Sequence, residues 1–101
     1  RGITAYQKAI EIYKDCDYEN AYYEFAKVPS GSTLKEPALF RQARCATNMD
    51  KKELAIKKYN KIVHSNTKSS IVPISEYNMA NLLDEVTGVV NSASLYQPLK
   101  Y

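Results

Sequence analysis

The chain has no tryptophan, one histidine, two cysteines and three glycines in 101 residues, and each shortage closes off a chemistry. His64 has no companion His or Cys at ligand spacing, and Cys16 and Cys45 are too few and too far apart for a zinc cluster or a disulfide framework. Gly2, Gly31 and Gly88 do not make a glycine-rich phosphate loop. Acid–base or nucleophilic work needs a base of near-neutral pKa held against a nucleophile or a second carboxylate. Asp84 and Glu85 are adjacent, so on a helix they point about 100° apart and do not converge. The expectation is a non-catalytic chain without metal or cofactor. No apolar run approaches the ~20 residues of a membrane-spanning helix. Arg1 stands where an initiator Met would, and no signal segment follows it. The reading expects a piece of a longer polypeptide and draws nothing about compartment from the missing signal.

What remains is ordinary for one globular domain spanning 1–101: 45% hydrophobic and 25% charged residues, which argues against disorder. The net charge of +3 is mild but unevenly spread. Between Lys35 and Lys68 nine basic residues face three acids, whereas residues 11–24 carry five acids and one base, Lys14. Such polarity can orient a partner, and solvated helix faces also produce it.

A repeat organises the chain. Aligning Ala21 with Ala55 sets an offset of 34, at which Ala9 falls on Ala43, Ile12 on Ala46, Phe25 on Tyr59 and Val28 on Ile62. Three residues later than that offset predicts, a third unit matches Ala80 to Ala43, Leu83 to Ala46, Ser92 to Ala55, Tyr96 to Tyr59 and Leu99 to Ile62. The units are approximately 1–34, 35–70 and 71–101. Within each, apolar and small residues recur at i, i+4 and i+7, as in Ala5, Ala9 and Ile12 and again in Ala21, Phe25 and Val28, which predicts amphipathic helices. The turn-prone stretches "KDCDY" and "TNMDK" separate the two helices of units one and two, and Gly88 suits a helix end. Pro37 and Pro73 fit the first turn of a following helix, where a missing N–H costs nothing. Each unit therefore reads as an antiparallel helix pair, about six helices in all. Paired alanines let backbones approach, and Phe25, Tyr59 and Tyr96 fill the space towards the next unit. A disulfide is not expected. In parallel first helices Cys16 and Cys45 would stand ~7.5 Å apart along the axis and ~8–10 Å across it, and a bridge needs α-carbons within about 7 Å.

Period, helix–turn–helix units and the stretch "DYENAYYEF" together resemble the tetratricopeptide repeat. Ala5 stands at the place of that repeat's Trp, and Lys8-Ala9 and Gln42-Ala43 at its Leu-Gly, so the units are degenerate. The resemblance implies an all-α, right-handed superhelical array of antiparallel helix pairs whose first helices line a concave inner surface. It also implies a scaffold that binds a protein or peptide.

On that inner surface the candidate binding positions are Tyr6, Ile10 and Tyr13 in unit one, Phe40, Arg44, Thr47 and Asn48 in unit two, and Tyr77, Asn81 and Asp84 in unit three. Tyr6, Phe40 and Tyr77 would form an aromatic rail, and aromatic residues concentrate binding energy at interfaces. Some members of the family dock chaperones by gripping a C-terminal carboxylate with Lys and Asn, a pair that the inner places Tyr6 and Ile10 do not supply.

Two other readings stand beside the scaffold. The stretches "PALFRQARC" and "SEYNMANLL" resemble periplasmic assembly factors and the helical region of lytic transglycosylases. That resemblance would make the chain a structural segment of a larger bacterial envelope protein. The lysine run "KKELAIKKYNKI" could meet nucleic acid or a membrane surface, but its aromatic, Tyr59, is assigned to the core, which argues against nucleic acid. Finally Leu95, Tyr96, Leu99 and Tyr101 leave the C-terminal end apolar, and the expectation is continuation of the array or self-association through that end.

Overall fold

Five α-helices follow one another in the computed structural model, which describes residues 2–65 and 69–88: α1 Gly2–Lys14, α2 Tyr18–Ala26, α3 Lys35–Asn48, α4 Lys52–Val63 and α5 Ile71–Thr87. The fold is all-helical, and no strand occurs among the described residues. Each helix packs on its neighbours in the chain, and α3 also touches α1 and α5. None of these helices is long and apolar enough to cross a membrane. The expected sixth helix, with Ser92, Tyr96 and Leu99, and the apolar end formed by Leu95, Tyr96, Leu99 and Tyr101 lie outside the described residues.

The end of the first helix and the start of the second repeat with the sequence, while α4 runs three residues longer than α2. α1 ends at Lys14 and α3 at Asn48, while α2 begins at Tyr18 and α4 at Lys52, in both cases 34 positions on. The turns repeat as well. After α1 the Asp17 N–H donates to Ile12 O and the Cys16 N–H to Tyr13 O. After α3 the Lys51 N–H donates to Ala46 O and the Asp50 N–H to Thr47 O. These are paired Schellman closures, and each places one residue in the left-handed region, Cys16 at φ 63° and Asp50 at φ 60°. α5 ends on Gly88 at φ 77°, whose N–H donates to Asp84 O. Asp17 then caps α2, accepting from the Asn20 N–H at 3.4 Å and from Asn20 Nδ2 at 2.7 Å. Pro37 and Pro73 both fall in first turns, of α3 and α5 respectively.

The core lies between the helices in two clusters. Ala9, Ala21, Phe25 and Val28 of the first helix pair bury with Ala38 and Cys45 of α3. Ala43, Ala46, Ala55, Tyr59 and Ile62 of the second pair bury with Leu82 of α5. Thus α3 is buried on two faces, one towards the preceding pair and one towards its own partner α4. Fully burying a side chain such as Phe25 or Ile62 is worth about 1.5–3 kcal/mol. A buried glutamine joins the pairs: Gln42 Nε2 on α3 donates to the Tyr22 carbonyl of α2 at 3.1 Å.

In α5 the burial pattern is asymmetric. Leu82, which corresponds to Cys45, is 5% exposed against the preceding pair, whereas Leu83, matched above to Ala46, is 38% exposed. Position 46 faces the second helix of its own pair, and in unit three that partner's matched positions lie beyond residue 88. Cys16 is an exposed thiol in the first turn, and Cys45 a buried one in α3.

Candidate functional site

The candidate positions of unit one hold rings packed on one another. Tyr6 meets Phe25 edge-on with centroids 5.6 Å apart, and Tyr13 meets Phe25 at 6.4 Å and Tyr18 at 5.4 Å. The Arg41 guanidinium of α3 covers the Tyr13 ring at 5.1 Å. Ile10 is half-buried in the same cluster. Here the first helix presents a closed, largely apolar surface.

The next junction differs. Phe40 packs edge-on against Tyr59 at 5.8 Å, but the space beyond it is open. A cavity of about 150 Å³ lies between α3, α4 and α5, lined by Arg44, Thr47, Tyr59, Asn78, Asn81, Leu82 and Glu85. Three of its residues, Arg44, Thr47 and Asn81, are among the positions expected from the sequence. The helical spacing explains the α5 wall, since residues 78, 81, 82 and 85 share one face at i, i+3, i+4 and i+7.

Its polar groups are held in place. Asn78 Nδ2 donates to Tyr59 Oη at 3.3 Å, so the hydroxyl of an otherwise buried ring is met at the cavity. Burial raises the Tyr59 pKa, and the Asn78 hydrogen bond opposes that shift. The Tyr13 hydroxyl beside Arg44 raises the guanidinium's pKa further, with burial working against it. Thr47 Oγ1 donates back to Ala43 O at 2.9 Å, which turns this short side chain onto its own helix. Glu85 pairs with Lys52 at 3.5 Å, and Lys52 lies 3.8 Å from Asp50, a charged rim at the α4 end.

The remaining expected residues are placed otherwise. Tyr6 and Tyr13 belong to the closed junction, and Phe40 and Tyr77 are half-buried on the same stripes as Arg44 and Asn81. Asn48 is exposed and its Nδ2 donates to Arg44 O at 2.9 Å, outside the cavity. Asp84 is buried, while its neighbour Glu85 reaches the cavity. Asn78 and the Tyr59 hydroxyl were missed from sequence. Asn78 had a signal, standing one turn before Asn81, whereas Tyr59 was assigned to the core alone.

The volume falls below the ~300–1,000 Å³ of small-molecule and cofactor pockets. It suits one side chain or a short piece of backbone. His64 is exposed at the far end of α4, with Nδ1 3.0 Å from Asn60 O. No group of His, Cys, Asp and Glu among the described residues could hold a metal ion. No protein-family model, curated protein or solved structure matches the chain.

Proposed function

We propose that the chain is a tetratricopeptide-type array whose first helices line a right-handed superhelical groove, and that it serves as a non-catalytic scaffold for a peptide or protein partner held there. The observation that carries this reading is the small polar cavity between α3, α4 and α5, set beside the half-buried rings of Phe40 and Tyr77. Support for the array comes from the ends of α1 and α3, the starts of α2 and α4 and the left-handed turn residues, each of which recurs 34 positions on.

The cavity chemistry matches an extended peptide. Asn78 and Asn81 each carry a donor and an acceptor, as a peptide unit does, so either amide could bond backbone N–H and C=O groups. Arg44 offers a planar set of donors to a carbonyl or carboxylate. Phe40 and Tyr77 supply apolar area at low entropic cost.

Selection of peptides from a display library on the whole chain, followed by affinity measurement, tests the reading. Thr47→Tyr, which fills the cavity, and Asn81→Ala are each expected to weaken selected peptides by about tenfold or more, the loss of ~1.4 kcal/mol. Lys57→Ala, on the exposed side of α4, should leave affinity unchanged. Peptides that bind both groove variants as tightly as the parent would rule out this groove as the site.

A further inference from the structure

A second cavity shares no residue with the groove. It lies between the α2–α3 connection, the first turns of α3 and the last turn of α4, with a volume of about 440 Å³. Its polar lining comes from Ser30, Ser32, Thr33, Lys35, Lys61 and Ser65, over an apolar floor of Leu39 and Ile62. We infer that this cavity is a binding site for a phosphate monoester.

The charge there is concentrated. Lys35 comes from α3 and Lys61 from the last turn of α4, so two helices bring lysines to one concavity. Burial, and then the nearby Lys58 and Lys61, hold the Lys35 ammonium below the ordinary lysine range. An anion beside Lys35 and Lys61 would relieve that repulsion. One acid, Glu36, also lines the cavity, and its Oε2 lies 3.2 Å from Ser65 Oγ. Lys35 and Lys61 against Glu36 leave the lining with a surplus of one positive charge, and Lys58 adds a further cation near Lys35 but outside the lining. The sign of that surplus suits a phosphate monoester, which carries about −1.5 to −2 at neutral pH.

The other lining groups agree with that ligand. Ser32 Oγ accepts from the Leu34 N–H at 3.1 Å, which leaves its own proton to donate. The N-cap of α3, Leu34, has no side chain to accept from the first-turn N–H groups, and Glu36 is the one acid in that turn. The volume falls in the range of pockets that enclose small organic molecules, larger than a bare ion requires. Hydroxyls and an apolar floor fit the organic part of an ester. A nucleic-acid strand spreads single charges along a line, whereas these lysines converge on one hollow.

Titration of the whole chain with inorganic phosphate, O-phosphoserine and a phosphoserine peptide, followed by calorimetry and ³¹P NMR, tests the site. Saturable binding of phosphate is expected, weakened about tenfold by Lys35→Gln and by Lys61→Gln, the effect of losing one charge-assisted contact. Lys51→Gln, at the opposite end of α4, should bind as the parent does. Both cavity variants should keep the parent's helical circular dichroism. Tighter binding of the peptide than of O-phosphoserine assigns the ester to a partner protein, and equal binding assigns it to a small molecule. Either result supports the site.

A non-saturable response, or an equal loss in Lys51→Gln, overturns the site. So does a single-stranded oligonucleotide that binds more tightly than phosphate and depends on Tyr23. That result would move the anion to exposed Tyr23 and its half-buried neighbour Tyr22, whose ring lies 5.6 Å from the Lys58 ammonium.

Discussion

Units one and two share the end of the first helix, the start of the second and the turn between them, yet one packs the Tyr6, Ile10 and Tyr13 face of its first helix closed and the other leaves the matching face open. Three substitutions at equivalent positions account for this. Tyr13 becomes Thr47, Ile10 becomes Arg44, and Phe25 becomes Tyr59, each 34 residues on. In unit one the long Tyr13 ring lies on Phe25 and Tyr18 under the Arg41 guanidinium and fills the junction. In unit two Thr47 folds back on its helix, and the vacated space is walled by Arg44, Asn81 and the Tyr59 hydroxyl. The backbone repeat thus sets where a groove can be, and the length of one side chain decides whether it is filled.

The largest effects should come from the closed junction. Phe25→Ala removes a fully buried ring that touches two tyrosines and should destabilise the chain by about 3–5 kcal/mol in urea unfolding. Tyr59→Phe makes unit two resemble unit one at that position and deletes a hydroxyl that Asn78 donates to and that Thr47 and Arg44 also meet. It should cost about 1 kcal/mol. If both changes cost the same, the two rings do not play the different parts assigned to them.

The two cysteines sharpen the contrast further. Cys16 is exposed in the unit-one turn, while burial pushes the Cys45 thiol up to about 11. Against an ordinary value of 9.0 this leaves Cys45 with about a hundredfold smaller thiolate fraction at neutral pH, before its inaccessibility is counted. Iodoacetamide should therefore label Cys16 alone in the native chain and both thiols in urea. Rapid native labelling of Cys45 would show that the α2–α3 packing opens.

The same group links stability to pH. Between about pH 9 and 11 the unfolded chain releases the Cys45 proton while the native chain keeps it, so the unfolded state binds fewer protons. Stability is then full below pH 9 and falls as pH rises towards 11. Burial raises Tyr59 and Tyr22 as well, which adds to the alkaline loss. Cys45→Ala should flatten the first part of that decline.

The helices were legible because their signal is local: alanines at i and i+4, repeated at one offset, with polar breaker-rich stretches between them. The cavity was legible only along its α3 side and at Asn81, where the offset carried Arg44 and Thr47 into place. The rest depended on how α5 is rotated. Leu82 anchors α5 on the preceding pair, which turns Asn78 and Glu85 on the same face towards the cavity. Two residues with divided roles were also opaque. Tyr59 buries its ring and presents its hydroxyl, and Gln42 sits in the core because a carbonyl 20 residues earlier accepts its proton.

The turns give the finest test of the comparison, because the same left-handed closure is made by two different residues. Left-handed backbone costs most L-residues about 1–2 kcal/mol, whereas Asp tolerates it better through local hydrogen bonding. Cys16 should therefore be the more strained, and Cys16→Gly should raise the urea midpoint by up to about 1 kcal/mol of stability at unchanged slope. The exposed Cys16–Tyr18 side-chain bond lost with the thiol takes back part of that gain. Asp50→Gly removes little strain and an exposed 3.8 Å pairing with Lys52 that is worth little, so it should change stability by only a few tenths of a kcal/mol. A gain at Asp50 as large as at Cys16 would mean that turn strain does not distinguish the two units, leaving side-chain length at the inner surface as their main difference.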